Sequence, residues 1–318
     1  MRKPNISILW AFTANLSVGA VKGAAAWYTG SGTMFAETLH SIADSGNQIL
    51  LWFGLMRAEK PASTQHPLGH GKEVYFWSFI IAVLLFLSGG VLSVFEGIAR
   101  LRTPAPIVAP WAAIITLVFA LVAEGASLRA SLTQVAVIRD AKSFYRWFRD
   151  TRRSDLLVVI SEDVAAVIGL VIAFVAIAAT VLTGNTVFDA IGSVTVGVLL
   201  IFTAGNLIVE VKALLIGESA SLQTRQTIEQ VLRGCGGVSD IETLITLQNG
   251  RDIFVAARIK ISAMDITALG AVIRCCRDTL RTRLDSISHV FIEAEDNGAR
   301  TVAIESLARV PEKELLAE

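Results

Sequence analysis

The sequence predicts a polytopic membrane protein, an all-α bundle of six transmembrane helices followed by a small α+β domain. Three observations carry that prediction. Of 318 residues, 53% are hydrophobic and only 18% charged, a balance more apolar than soluble domains use. The apolar residues gather into six runs of bilayer-crossing length, and from about Gly217 the runs shorten and charges return. Basic residues crowd one alternate set of the connections between runs. The predicted organisation is a six-span domain over 1–214, a compact α+β domain over 215–298 and a loosely ordered tail over 299–318.

A helix needs about 20 mostly apolar residues to cross a bilayer, because its backbone polar groups find no water there. The runs that satisfy this extend from Ile6 to Tyr28, Thr33 to Met56, Phe76 to Ile98, Val108 to Ile138, Leu156 to Leu182 and Val187 to Val211. The first is longer than the roughly 7–15 residues of a signal-peptide core and shows no clear cleavage site, so it reads as a retained span. TGSG between the first two runs and TGNT between the last two predict tight hairpins.

Lys and Arg mark the cytoplasmic side. One side carries Arg2, Lys3, Arg57, Lys60, Lys72, Arg139, Lys142, Arg146, Arg149, Arg152 and Arg153, and the other only Arg100 and Arg102. Both termini are therefore expected in the cytoplasm, and a bacterial inner membrane is the expected location. Beyond the sixth run the pattern reads helix (Leu222 to Leu232), strand (Ile241 to Gln248), strand (Asp252 to Ile261), helix (Ile266 to Leu284) and strand (His289 to Glu295). Asn249-Gly250 between alternating apolar runs is a two-residue hairpin signal, since both positions accept positive φ. The αββαβ order predicts an open sandwich of ferredoxin-like type.

Composition also excludes functions. With 28 basic and 28 acidic residues the net charge is +0, which leaves no basic excess for nucleic acid. The three cysteines, Cys235, Cys275 and Cys276, lack the spacing of a zinc knuckle or a secreted disulfide framework and read as buried or free thiols. No Walker, GxGxxG, GxSxG or HExxH context appears. Neither ATP-driven pumping nor enzymatic catalysis is expected, and no cofactor.

The chemistry concentrates in two places. In the second run Glu37, His40, Asp44 and Asn47 follow at intervals of three, four and three residues, one stripe of a helix. His40 and Asp44 at i, i+4 offer an imidazole and a carboxylate to one centre, a mix suited to Zn²⁺ or a neighbouring divalent ion. A helix–helix hydrogen-bond seam is the bland alternative. Ionisable groups in mid-membrane cost enough to favour function. One helix cannot complete a tetrahedral site, and the fifth run supplies Glu162 and Asp163. They point about 100° apart, and small Ala165 and Ala166 make Asp163 the better-directed ligand. Pairing of such a carboxylate with Lys22 of the first run is compatible with metal binding. The second place is His66-Pro67-Leu68-Gly69-His70-Gly71-Lys72, where Pro and Gly forbid a regular helix. It reads equally as a surface metal site or as an ordered turn whose Lys72 meets lipid phosphate.

HSIADSGNQ, HPLGHGK, DAIGSVTVG, the span-five acids and the αββαβ tail together resemble the cation diffusion facilitator family over nearly the whole chain. FEGIARL and LLVVISEDVAAVIG resemble the branch that includes the ninth mammalian zinc transporter. The resemblance implies export of a divalent cation, Zn²⁺ first and Mn²⁺, Fe²⁺ or Co²⁺ as alternatives, in exchange for protons. It implies a homodimer joined through the C-terminal domains, and a transport site formed by His40, Asp44 and Asp163. The family's fourth ligand, four residues before the span-five aspartate, is Val159 here, with Glu162 the nearest replacement. The loop site lacks the aspartate that often precedes it, leaving His66 and His70, and the last strand offers Glu293 and Glu295 without the histidine of some members. A membrane scaffold or metal-responsive regulator that no longer transports is the alternative reading.

Overall fold

The computed structural model describes residues 6–104, 106–138, 151–261 and 266–296. Arg2, Lys3, Arg139, Lys142, Arg146 and Arg149 of the basic set, and the predicted tail over 299–318, lie outside them. The chain divides into two compact units, Met1–Glu218 and Ser219–Glu318.

In the first unit the described residues form α1 (Ile6–Thr29), α2 (Gly32–Ala58), α3 (Glu73–Arg102), α4 (Pro110–Ile138), α5 (Ser154–Thr183) and α6 (Val187–Ile216). Helices α3, α4, α5 and α6 are long and apolar enough to cross a membrane. Polar groups from Glu37 to Asn47 dilute α2. Both predicted hairpins are short: Gly30 and Ser31 alone separate α1 from α2, and Gly184 to Thr186 separate α5 from α6. Ser31 caps α2 by accepting the Met34 N–H at 3.2 Å, which satisfies one of the free donors of a first turn.

The sequence pattern did not foretell the interior of α3. Residues Leu85–Val91 form a π-helical stretch, closed by the Leu92 N–H donating to the Leu87 carbonyl. Such a bulge holds one extra residue within the helix. Just beyond it α3 presses against α6 backbone to backbone. A Cβ at Gly97 would lie 2.8 Å from the Val194 nitrogen, and one at Gly197 would lie 2.7 Å from that of Val94. Both contacts are closer than real Cβ atoms come, so only glycine permits this approach.

One end of the bundle gathers the α1–α2 turn. The Thr29 carbonyl accepts from Val108 N–H at 2.8 Å, Arg100 donates to the Gly30 carbonyl, and Asp189 of α6 receives the start of α2. The Asp189 carboxylate accepts from Ser31 Oγ at 2.5 Å, Gly32 N at 2.7 Å and Thr33 N at 3.2 Å. A carboxylate there also meets the positive end of the α2 dipole. At another end of these helices Lys72 Nζ donates to the Leu215 carbonyl at 3.2 Å and Arg152 pairs with Glu218 at 2.8 Å. The outward side chains of α4, among them Trp111, Ile115 and Val122, are exposed apolar groups, as expected where lipid replaces water.

The second unit contains α7 (Leu222–Gly234), β1 (Val238–Asn249), β2 (Asp252–Ile261), α8 (Ile266–Arg283) and β3 (Ile287–Asp296). The sheet order is β1-β2-β3, with β1 and β2 antiparallel and β2 and β3 parallel. The parallel pair needs a crossover, which α8 supplies. Gly250 turns the hairpin at φ 65°. Ile253, Val255, Ala257, Ile259 and Ile261 of β2 are all buried, the period-two face of a strand. They pack with Ile228 and Leu232 of α7 and Cys276 and Leu280 of α8. Ile245 and Phe291 elsewhere on the sheet stay exposed. The described residues thus give a three-stranded α+β unit.

Candidate metal centre

Helix α2 places its whole polar stripe inside the first unit, with Glu37, His40, Asp44 and Asn47 all buried. His40 Nδ1 lies 3.4 Å from Asp44 Oδ1, close but not aligned as a hydrogen bond. Both imidazole nitrogens and Asp44 Oδ1 consequently lack a hydrogen-bond partner, as do Glu37 Oε1, Asn47 Oδ1 and Gln48 Oε1. Buried polar atoms are normally satisfied. The unsatisfied atoms of Glu37, His40, Asp44 and Asn47 share one face of α2.

Helix α5 sends its two acids in different directions, as adjacent positions must. Glu162 turns to α2, where Asn47 Nδ2 donates to its Oε1 at 2.6 Å. Asp163 turns to α4, accepting from Ser131 Oγ at 2.5 Å and Ser127 Oγ at 3.4 Å. Both carboxylates line a small cavity of about 30 Å³ together with Asp44, Asn47, Glu124 and Val159, room for an ion or a water or two. The geometry brings Asp44, Glu162 and Asp163 to one cavity and leaves His40 at its side, bonded to none of them. Among the described residues no three His, Cys, Asp or Glu side chains converge as a metal cluster.

Lys22 is fully buried. It pairs with Glu37 at 3.3 Å and Glu124 at 3.8 Å and donates to Ser41 Oγ at 2.9 Å. Pairing of Lys22 with a span-five acid, weighed from the sequence, is therefore not what the fold forms. The other Glu37 oxygen, Oε1, packs beside Gly169, whose added Cβ would lie 2.6 Å from it.

The sequence analysis singles out none of Glu124, Ser127 and Ser131. Their spacing held the missing signal: Glu124, Ser127 and Ser131 lie three and four residues apart in an apolar helix, the same rhythm that singled out α2. Asp189 of α6 is 2% exposed and caps α2. In the loop before α3 the rings of His66 and His70 stand 4.4 Å apart at 34°. Their turn is set by Ser63 N–H and Gly69 N–H, both donating to the His66 carbonyl. Lys72 donates from the end of this loop to the Leu215 carbonyl at 3.2 Å.

Residues 8–216 match the cation efflux transmembrane domain. The mitochondrial proton-coupled zinc antiporter SLC30A9 of Xenopus laevis is 39% identical over 210 residues, covering 65% of this chain and 38% of that protein. Its human counterpart is 35% identical over the same length, covering 65% and 37%. The cation-efflux pump FieF of Cronobacter sakazakii is 27% identical over 243 residues, covering 74% of this chain and 73% of the pump. The chain spans little more than a third of the zinc antiporters' length. Among solved structures, a variant of the MamM C-terminal domain in its nickel form matches with a TM-score of 0.23 and 15% identity, covering 23% of this chain and 95% of that one. The mitochondrial relatives lend no support to the expected bacterial inner membrane. The protein is an integral membrane protein with a cation efflux domain, and it belongs to the cation diffusion facilitator family, in the branch of SLC30A9.

Proposed function

We propose that this protein exports a divalent cation, Zn²⁺ foremost, in exchange for protons, and that α2 and α5 hold the ion. The observation that carries the reading is the buried His40–Asp44 pair, whose ring nitrogens and Oδ1 have no hydrogen-bond partner. A neutral imidazole and a carboxylate are the forms a borderline-soft divalent ion selects. The ion would take His40 and Asp44 from α2 and Glu162 or Asp163 from α5, with Val159 contributing no donor. Binding would require the α5 acids and His40 to converge on the ion together with Asp44. Protonation of any ligand removes the form that metal needs, so metal and proton occupancy oppose one another. Exchange follows from that opposition without a cofactor.

Six spans, with both termini cytoplasmic, fit the alternating positions of the helix ends and the eleven-to-two division of basic residues. The αββαβ unit reads as a ferredoxin-like domain, and the exposed Ile245 and Phe291 support its use as a homodimer surface. The tests are direct. Purified protein in vesicles should drive Zn²⁺ uptake under an imposed pH gradient, with Mn²⁺, Fe²⁺ and Co²⁺ as competitors. Absence of any metal flux, with metal still bound, would favour the second reading, a non-transporting regulator, for which the apolar Val159 is the specific observation.

A further inference from the structure

All three cysteines of the chain meet at one seam of the second unit, although about 40 residues separate Cys235 from the adjacent pair Cys275 and Cys276. Cys235 is the residue at which α7 stops, with φ −74° and ψ 125°, and its Sγ–H donates to the Val231 carbonyl at 3.3 Å. Cys275 and Cys276 lie on neighbouring faces of α8, with different surroundings. Cys276 is 0% exposed and shares the apolar core with Cys235. Cys275 is exposed, and it lines with Cys235 an open cleft of about 380 Å³ rimmed by Thr227, Thr279 and Arg283. Cys235 thus shares the cleft with Cys275 and the core with Cys276.

We propose that Cys235 and Cys275 form a reversible disulfide that staples the end of α7 to α8, closed by a hydroperoxide entering through the cleft. The exposed member reacts first, because a peroxide must reach the sulfur and attack needs its thiolate. The Cys275 sulfur attacks one peroxide oxygen, the O–O bond breaks, and a sulfenic acid forms as the other oxygen leaves, protonated, as water or an alcohol. The Cys235 sulfur then attacks the Cys275 sulfur; the S–O bond breaks, and the hydroxyl departs as water with the Cys235 proton. Two thiols lose two electrons in total and the peroxide gains them. A dithiol reductant reverses the bond. Cys276 stays out of the exchange. Burial pushes both its thiol and that of Cys235 up, but Cys235 alone borders the cleft with Cys275. A shared metal is not the reading here, since the thiols do not form a metal cluster among the described residues.

The test uses the full chain in detergent, reduced and then treated with stoichiometric hydrogen peroxide. Alkylatable thiols should fall from three to one, and non-reducing digestion should yield the Cys235 peptide joined to that of Cys275 and Cys276. Because those two share a peptide, variants decide the partner. Cys275→Ser should abolish the link, and Cys276→Ala should keep it. Oxidation should also raise the melting midpoint of the wild type by several degrees and leave Cys275→Ser unchanged, since the bond closes a long loop. Three thiols surviving oxidation, a link that persists in Cys275→Ser, or cross-links only between chains would overturn the proposal.

Discussion

A buried polar group without a partner costs about 1–3 kcal/mol, and His40 carries that cost on both ring nitrogens. His40→Ala and Asp44→Ala should therefore abolish metal flux in vesicles while the melting midpoint in detergent stays level or rises; normal flux in both would remove them from the site. The two acids of α5 separate by what they already hold. Glu162 shares its carboxylate with Asn47, and Asp163 is engaged by two serines of α4. If each gives an oxygen to the ion, Glu162→Gln and Asp163→Asn should weaken zinc binding to a similar degree in calorimetry. An unchanged affinity in Glu162→Gln would leave Asp44, Asp163 and His40 to complete the site with water. At this scale the sequence was legible for α2, whose acids and histidine share one face by spacing alone. It was less legible for α5, because spacing fixes only that Glu162 and Asp163 diverge. Which of the two meets α2 depends on how α5 is rotated against its neighbours, and that is set by side chains such as Ser127 and Ser131 on another helix.

Helices are tied to one another here by a few buried charges. Lys22 joins α1 to α2 through Glu37 and approaches Glu124 of α4. Removing one partner of a buried pair strands the other, so Lys22→Met should destabilise the protein by about 3–5 kcal/mol. The double variant Lys22→Met, Glu37→Gln should recover much of that, which thermal melts of the four-member cycle would show. Additive losses would mean that the pair is not coupled. Asp189 does for α2 what a residue of its own turn does for an ordinary helix, accepting the first free N–H groups from a distance of more than 150 residues along the chain. Asp189→Ala should lower stability by about 1–2 kcal/mol and increase amide exchange at Gly32 and Thr33. Exchange unchanged there would show that Ser31 caps α2 unaided. Element positions were readable from apolar length and from hairpin signals such as Asn249-Gly250. The cap from Asp189 and the π-helical stretch of α3 were not, since each depends on a second helix whose placement no local pattern encodes.

The molecule consists of two units, one a helical bundle with a buried polar stripe among apolar clusters, the other a small sheet backed by α7 and α8. Its orientation follows from charge. A reporter fused after Glu318 should be found on the cytoplasmic side, with eleven basic residues against two deciding it; an external reporter would overturn the span count. Helix length adds a further consequence. Helices α3, α5 and α6 contain 30 residues each, about 45 Å at 1.5 Å per residue, against a hydrocarbon core of about 30 Å. The surplus absorbs mismatch: in a thicker bilayer the helices stand upright, and in a thinner one they lean or extend their ends into the headgroups. The ties from Lys72 to Leu215 and from Arg152 to Glu218 flank those overhanging ends, so the membrane's thickness bears on the ends of the bundle before it reaches the buried stripe of α2.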